Sequence, residues 1–187
     1  MTALAGDRLK QRDVPLNNKA FLLGSVTPDI PLITLTLGYF AYRYWFDPIG
    51  PGEHIFGPRF DALYFTNPYW IAAHNFFHAP FIIGLMLVVG YAGLKRQKKW
   101  AAALFWFAAA CGFHSLVDMV THVNDGPLPF FPFNWTYRFA APVSYWDPAH
   151  GGRIFAPLSL LLDVVIIGYF AVRWVSARRS RRAVAKV

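Results

Sequence analysis

Two sets of ionisable side chains lie in apolar surroundings at helical spacing. His74 and His78 are four residues apart, and so are His114, Asp118 and His122 in succession. On a helix each set falls on one face. Ionisable groups are costly inside a membrane, so where they occur they pair with one another or mark a function. Imidazole nitrogen with carboxylate oxygen suits zinc first, and also manganese or iron. His74, His78, His114 and Asp118 are therefore candidate ligands of a divalent cation. Zinc with an open coordination position lowers the pKa of its bound water to about 7 and so makes a nucleophile. A different chemistry is bis-histidine haem ligation by His78 and His114. Asp118 one turn away, and the lack of a second matched histidine pair, speak against it. His122 is read as a supporting or interfacial residue.

These residues need elements to position them. Hydrophobic residues make up 56% of the chain and charged residues 15%, against about 25% charged in soluble domains. About 20 mostly apolar residues form a helix that crosses a bilayer core of about 30 Å. Residues 69–94, 100–123 and 154–175 meet that requirement. Residues 30–46 form a fourth, shorter apolar segment that ends in an aromatic–arginine cluster, and it either spans or lies in the interface. Residues 47–68, rich in Pro and Gly, read as a loop. Residues 124–153 read as a long outer loop whose Pro, Phe, Trp and Tyr lie on the membrane surface. The expected fold is all-α: a single membrane domain, 1–187, built as a polytopic helix bundle. It has three clear transmembrane helices plus one possible spanning or interfacial helix.

The first two spans form a hairpin that turns near residue 96. His78 and His114 are symmetric about that turn, and so are His74 and Asp118. Straight antiparallel helices would bring all four to one level. At about 1.5 Å per residue that level lies about 27 Å from the turn, near the far edge of the hydrocarbon core.

The net charge of +8 has a pattern. Lys95, Arg96, Lys98 and Lys99 crowd the hairpin turn, and Arg173, Arg178, Arg179, Arg181, Arg182 and Lys186 crowd the C-terminus. Cytoplasmic loops carry such an excess. The turn and the C-terminus are thus expected in the cytoplasm, and the polar cluster near the outer face. If 30–46 spans, the N-terminus with Arg8, Lys10, Arg12 and Lys19 is cytoplasmic too. Base-stacking aromatics are not interleaved with these charges, so no nucleic-acid partner is expected. Residues 1–19 are polar and show no signal-peptide pattern. The one cysteine, Cys111, excludes an internal disulfide and a cysteine-rich zinc site, and reads as a small packing residue.

Asp147 and His150 fall in the outer loop, on the side of the cluster. Either can reach it as ligand or general base, and they are the candidate catalytic residues. His54 reads as solvent-facing. Asp163, in the last span, is a candidate partner of Arg153 or of a polar residue on a neighbouring helix.

Several stretches resemble a known family. Gly24-Ser25-Val26-Thr27-Pro28-Asp29-Ile30 matches a Pro-Asp-Ile motif. His74-Asn75-Phe76-Phe77-His78-Ala79 is similar to a paired-histidine motif, with the pair one residue closer, Asn75 in place of Arg and Ala79 in place of Ser. His114-Ser115-Leu116-Val117-Asp118-Met119-Val120-Thr121, followed by Pro129, Pro132, Trp135 and Pro142, matches the most specific stretch. Together they resemble the bacterial membrane-bound metal-dependent hydrolases, small multi-helix inner-membrane proteins. The resemblance covers about half the chain and implies a metal site of Asp29, His74, His78, His114 and Asp118 in the inner (cytoplasmic) membrane. No counterpart of the family's early histidine precedes Asp29. Asp29 poses a conflict: if 30–46 crosses, Asp29 is on the cytoplasmic side, and if the segment is re-entrant or interfacial, Asp29 can join the cluster. A helix N-cap carboxylate is its other reading.

The expected function is a metal-dependent hydrolase of the membrane surface, acting on an amphiphilic, possible phosphoester, substrate. Membrane lipid is the expected partner, with other membrane protein subunits as a further one. The alternatives are a non-catalytic accessory subunit of a larger membrane complex and a haem-binding electron-transfer protein.

Overall fold

A computed structural model describes residues 16–162 and, in the last helix, 164, 165, 168, 169 and 172. Among the described residues the chain is all helix and loop. The elements are α1 (Asn18–Val26), α2 (Ile30–Trp45), α3 (Pro58–Thr66), α4 (Pro68–Asn75), α5 (Pro80–Lys95) and α6 (Ala101–Thr121). A 3-10 turn at Pro148–His150 precedes α7 (Gly152–Leu162). The basic C-terminus, Asp163, and Arg8, Lys10 and Arg12 lie outside the described residues.

Among the described residues, the one helix long and apolar enough to cross a membrane by itself is α6. Two bent pairs reach that length together, α1 with α2 and α4 with α5, each broken by 42°. The expected straight helix over 69–94 is thus corrected to two helices. Pro80 is the cause: it lacks an N–H and biases Ala79 towards extended backbone, and Ala79 sits at φ −68° and ψ 121°. The segment 154–175 begins earlier, at Gly152, and is a described apolar helix to Leu162. The presumed loop 47–68 carries α3, started by Pro58 in the first turn, where its missing donor costs nothing.

The largest difference is α1, which the polar character of residues 1–19 concealed. Asn17 caps it by accepting from the Ala20 N–H at 3.0 Å. With α1 in place, 30–46 is the second half of a longer bent pair. Asp29 then lies at the break inside that pair, which removes the conflict over its position.

α6 is the central element, with α1 packed along one flank and α5 along the other. Both contacts are backbone-close. A Cβ at Gly24 would overlap the Phe107 carbonyl, and one at Gly90 would come 2.9 Å from the Phe105 nitrogen. Small residues at such crossings let membrane helices approach without a side chain between them. Phe21 meets Trp106 edge-on at 6.3 Å and fixes the α1 register.

A second group, α2, α3 and α4, is joined by rings: Tyr39 and Trp70 both contact Phe60, at 5.5 and 5.7 Å. Buried Arg43 on α2 binds Asp47 at 2.6 Å and Glu53 at 2.5 Å, which pins the connection to α3. The Gly50 N–H and Arg43 hold the Glu53 carboxyl below its ordinary range.

The long loop 124–153 is anchored rather than free. Leu128 and Phe131 bury against Ile71 and Ala79. Tyr64 donates to the Asp125 carbonyl, and Arg138 donates to the Gly126 carbonyl. Backbone bonds from Ala141 to His122 and from Tyr145 to Thr121 tie it to the end of α6.

Candidate metal-ligand cluster

Four residues from three parts of the fold converge. Asp29 comes from the α1–α2 break, His78 from the α4–α5 break, and His114 and Asp118 from successive turns of α6. Each offers one ligand atom, and the four atoms lie within 4.8 Å of one another. Asp118 Oδ2 is 3.1 Å from His78 Nε2 and 3.2 Å from His114 Nε2. Asp29 Oδ1 is 3.4 Å from His114 Nε2 and 3.9 Å from His78 Nε2.

The far side of each imidazole decides its tautomer. His78 Nδ1 is 2.6 Å from the His74 carbonyl, and His114 Nδ1 is 3.0 Å from the Ser25 carbonyl. A carbonyl only accepts, so both Nδ1 atoms carry the proton and donate. In a neutral ring the lone pair is then at Nε2, aimed at two carboxylates. His114 Nε2 is buried and makes no properly angled hydrogen bond among the described residues. Two lone pairs facing two carboxylates repel unless positive charge stands between them. Either the rings are imidazolium or a cation is shared.

Why these residues meet is local. The break at 76–78 lets the His78 N–H bond the Asn75 carbonyl at 3.2 Å, three residues back, instead of continuing the α-helix. His78 thus sits in the turn between the two helices, with its ring still 4.9 Å from that of His74. Asp29 occupies the N-cap position of α2, yet its side chain makes no capping bond. Its carboxylate faces the histidines instead.

The structure does not bring His74 into the ligand group. Its ring lies against Tyr64 at 5.3 Å and edge-on to His78 at 4.9 Å, and its carbonyl orients His78. His122 directs Nδ1 at the Asp118 carbonyl, at 3.1 Å, and its ring lies tilted against Tyr145 at 5.5 Å. Asp147 and His150 pair with each other at 2.7 Å, each about two-fifths exposed. The Ala149 N–H first, then His150, holds the Asp147 carboxyl below its ordinary range. Asp147 thereby fixes Nδ1 of His150 as the donor and leaves the lone pair at Nε2.

Asn75 enters the sequence reading only as a departure from the paired-histidine motif, which leaves its structural role unread. Fully buried, it donates from Nδ2 to the Ile71 carbonyl at 2.8 Å and accepts the Leu128 N–H at 2.6 Å. It ties the long loop to the turn that carries His78. Its place between two histidines in an apolar stretch was the available signal, since an amide there needs partners.

No curated protein and no solved structure matches this chain. The YdjM inner membrane protein family model matches residues 1–185, and the chain belongs to that family of inner membrane proteins.

Proposed function

We propose that the cluster binds a divalent metal, zinc first among the candidates, and that the protein is a metal-dependent hydrolase of the membrane surface. One observation carries this reading. Two imidazoles, each locked with its proton on the outer nitrogen, aim Nε2 at two carboxylates. Carbonyl-oriented histidines of this kind accompany metal ligation. Ligand bonds of 2.0–2.2 Å give tetrahedral edges of about 3.3–3.6 Å, and four of the six spacings in the cluster, 3.1, 3.2, 3.4 and 3.9 Å, scatter around that range. The charges fit, because two carboxylates neutralise a divalent ion, which a membrane interior favours.

Bound there, such an ion supplies Lewis acidity and a water of lowered pKa. Asp118, on rigid α6, and His78, fully buried, hold fixed positions. His150, oriented by Asp147, serves as proton carrier from the loop. In the net reaction the water oxygen bonds to phosphorus and the bond to the alcohol oxygen breaks. The water's proton passes to that alcohol. An amphiphilic substrate suits an inner membrane protein whose aromatic loop has Phe133 and Trp146 exposed. The basic turn 95–99 and C-terminus then face the cytoplasm, and the cluster lies towards the opposite leaflet.

A haem would need a flat apolar slot between His78 and His114, where Asp29 and Asp118 stand. A non-catalytic accessory subunit would leave the converging ligand atoms without a role. Metal analysis of the purified full chain tests the proposal. One divalent ion per chain is expected, lost in His78→Ala/His114→Ala. Native protein purified without chelator and without metal would overturn it.

A further inference from the structure

The four cluster residues differ in exposure. The side chain of His78 is fully buried, and those of His114 and Asp118 are 16% and 18% exposed. Asp29 stands apart at 45%. The loop explains the closed side. Leu128 and Phe131 pack on Ile71 and Ala79, next to His78, and Asn75 holds them there. Strand-like bonds from Ala141 and Tyr145 close over the end of α6.

The open side has a composition. Leu22, Val26, Ile30, Ile33 and Leu37 are each more than half exposed. Spacing of four places Leu22 and Val26 on one face of α1, and spacing of three and four places Ile30, Ile33 and Leu37 on one face of α2. The opposite face of α1, with Ala20 and Gly24, is buried against α6. Asp29 therefore sits at the edge of an apolar stripe, between Val26 and Ile30, at the break of the pair. In an inner membrane protein such a stripe faces acyl chains.

We infer that the cluster opens sideways into the bilayer at the α1–α2 break, and that what reaches it is a phospholipid-like amphiphile sliding along this stripe. The acyl chains of such a molecule lie on Leu22, Val26, Ile30, Ile33 and Leu37, and its polar linkage comes to Asp29. The route stands on exposure and composition; that the lipid is cleaved there rests on the metal-centre reading. A water-soluble ester lacks the apolar surface that guides a lipid to this opening and is a poor ligand.

The test uses the full chain in phospholipid vesicles with two photoreactive carbene probes. One is a phospholipid carrying a diazirine next to its phosphate, and the other is a membrane-impermeant sulfonated diazirine. Labelled residues are mapped by mass spectrometry, and metal content is measured on the same samples. The lipid probe is expected to label Asp29 and its neighbours in 26–33, and the soluble probe to leave Asp29 unlabelled. Ile30→Trp, on the exposed face, should abolish lipid labelling of Asp29, whereas Val88→Trp, on the exposed face of α5, should not. Labelling of Asp29 by the soluble probe, or lipid labelling unchanged by Ile30→Trp, would overturn the route. Lipid-labelled Asp29 in metal-free protein would keep the route and remove the hydrolase. Metal-loaded protein without lipid labelling would do the reverse.

Discussion

Asp118→Asn separates the two ways in which the cluster can be neutralised. Asp118 makes the two shortest contacts to the imidazoles, so as a metal ligand it is expected to contribute about 100-fold in affinity, or about 2.8 kcal/mol. Metal that binds the native state stabilises it by mass action. At 100 times the native dissociation constant, native protein gains about 2.7 kcal/mol. The variant, with its constant raised about 100-fold, gains about 0.4 kcal/mol under the same conditions. The gap of about 2 kcal/mol exists only when metal is present. With chelator no cation is shared, so the rings are imidazolium and loss of Asp118 breaks an ion pair, at up to about 3–5 kcal/mol. If the cluster never binds metal, that same cost appears in any buffer. Unfolding in detergent, with chelator and then with graded zinc or manganese, reads both cases. Equal destabilisation of the variant in chelator and in metal would refute the reasoning.

Gly24→Ala should destabilise by about 1–3 kcal/mol, because its Cβ overlaps the Phe107 carbonyl. It should also lower metal affinity by drawing Asp29 off α6. Gly38→Ala, with open space around its Cβ, should be neutral or stabilise by about 0.5–1 kcal/mol, and thermal unfolding compares the two. Asn75→Ala leaves the Leu128 N–H buried without its acceptor, at about 1–3 kcal/mol, and hydrogen exchange at Leu128 should quicken. Asp147 has a depressed carboxyl in the folded state, so its contribution to loop order is present above the ordinary carboxylate range. It is lost as pH falls through the depressed folded value. Fluorescence of Trp146 followed to acid pH should report that loss, and Asp147→Asn should abolish the acid transition.

The membrane character, the helical class and three of the four cluster residues were legible in the residues themselves. Hydropathy is a sum over neighbours in the chain, and spacing of four is a local property of any helix. His78, His114 and Asp118 could be levelled by symmetry about one short turn because α5 and α6 are adjacent in sequence. The helix α1 was not legible, since its polar approach and a nine-residue length conceal a segment stabilised by packing on α6. For the same kind of reason His74 stands outside the cluster, and Asp29, which only the family resemblance implied, stands in it. His74 belongs to the pattern on a straight helix, and Pro80 ends that helix before His78. Asp29 is distant in sequence from every residue it meets. Local chemistry thus determined which groups could bind a cation, whereas only the tertiary structure decided which of them meet, because two breaks and one glycine contact set directions that no local pattern encodes.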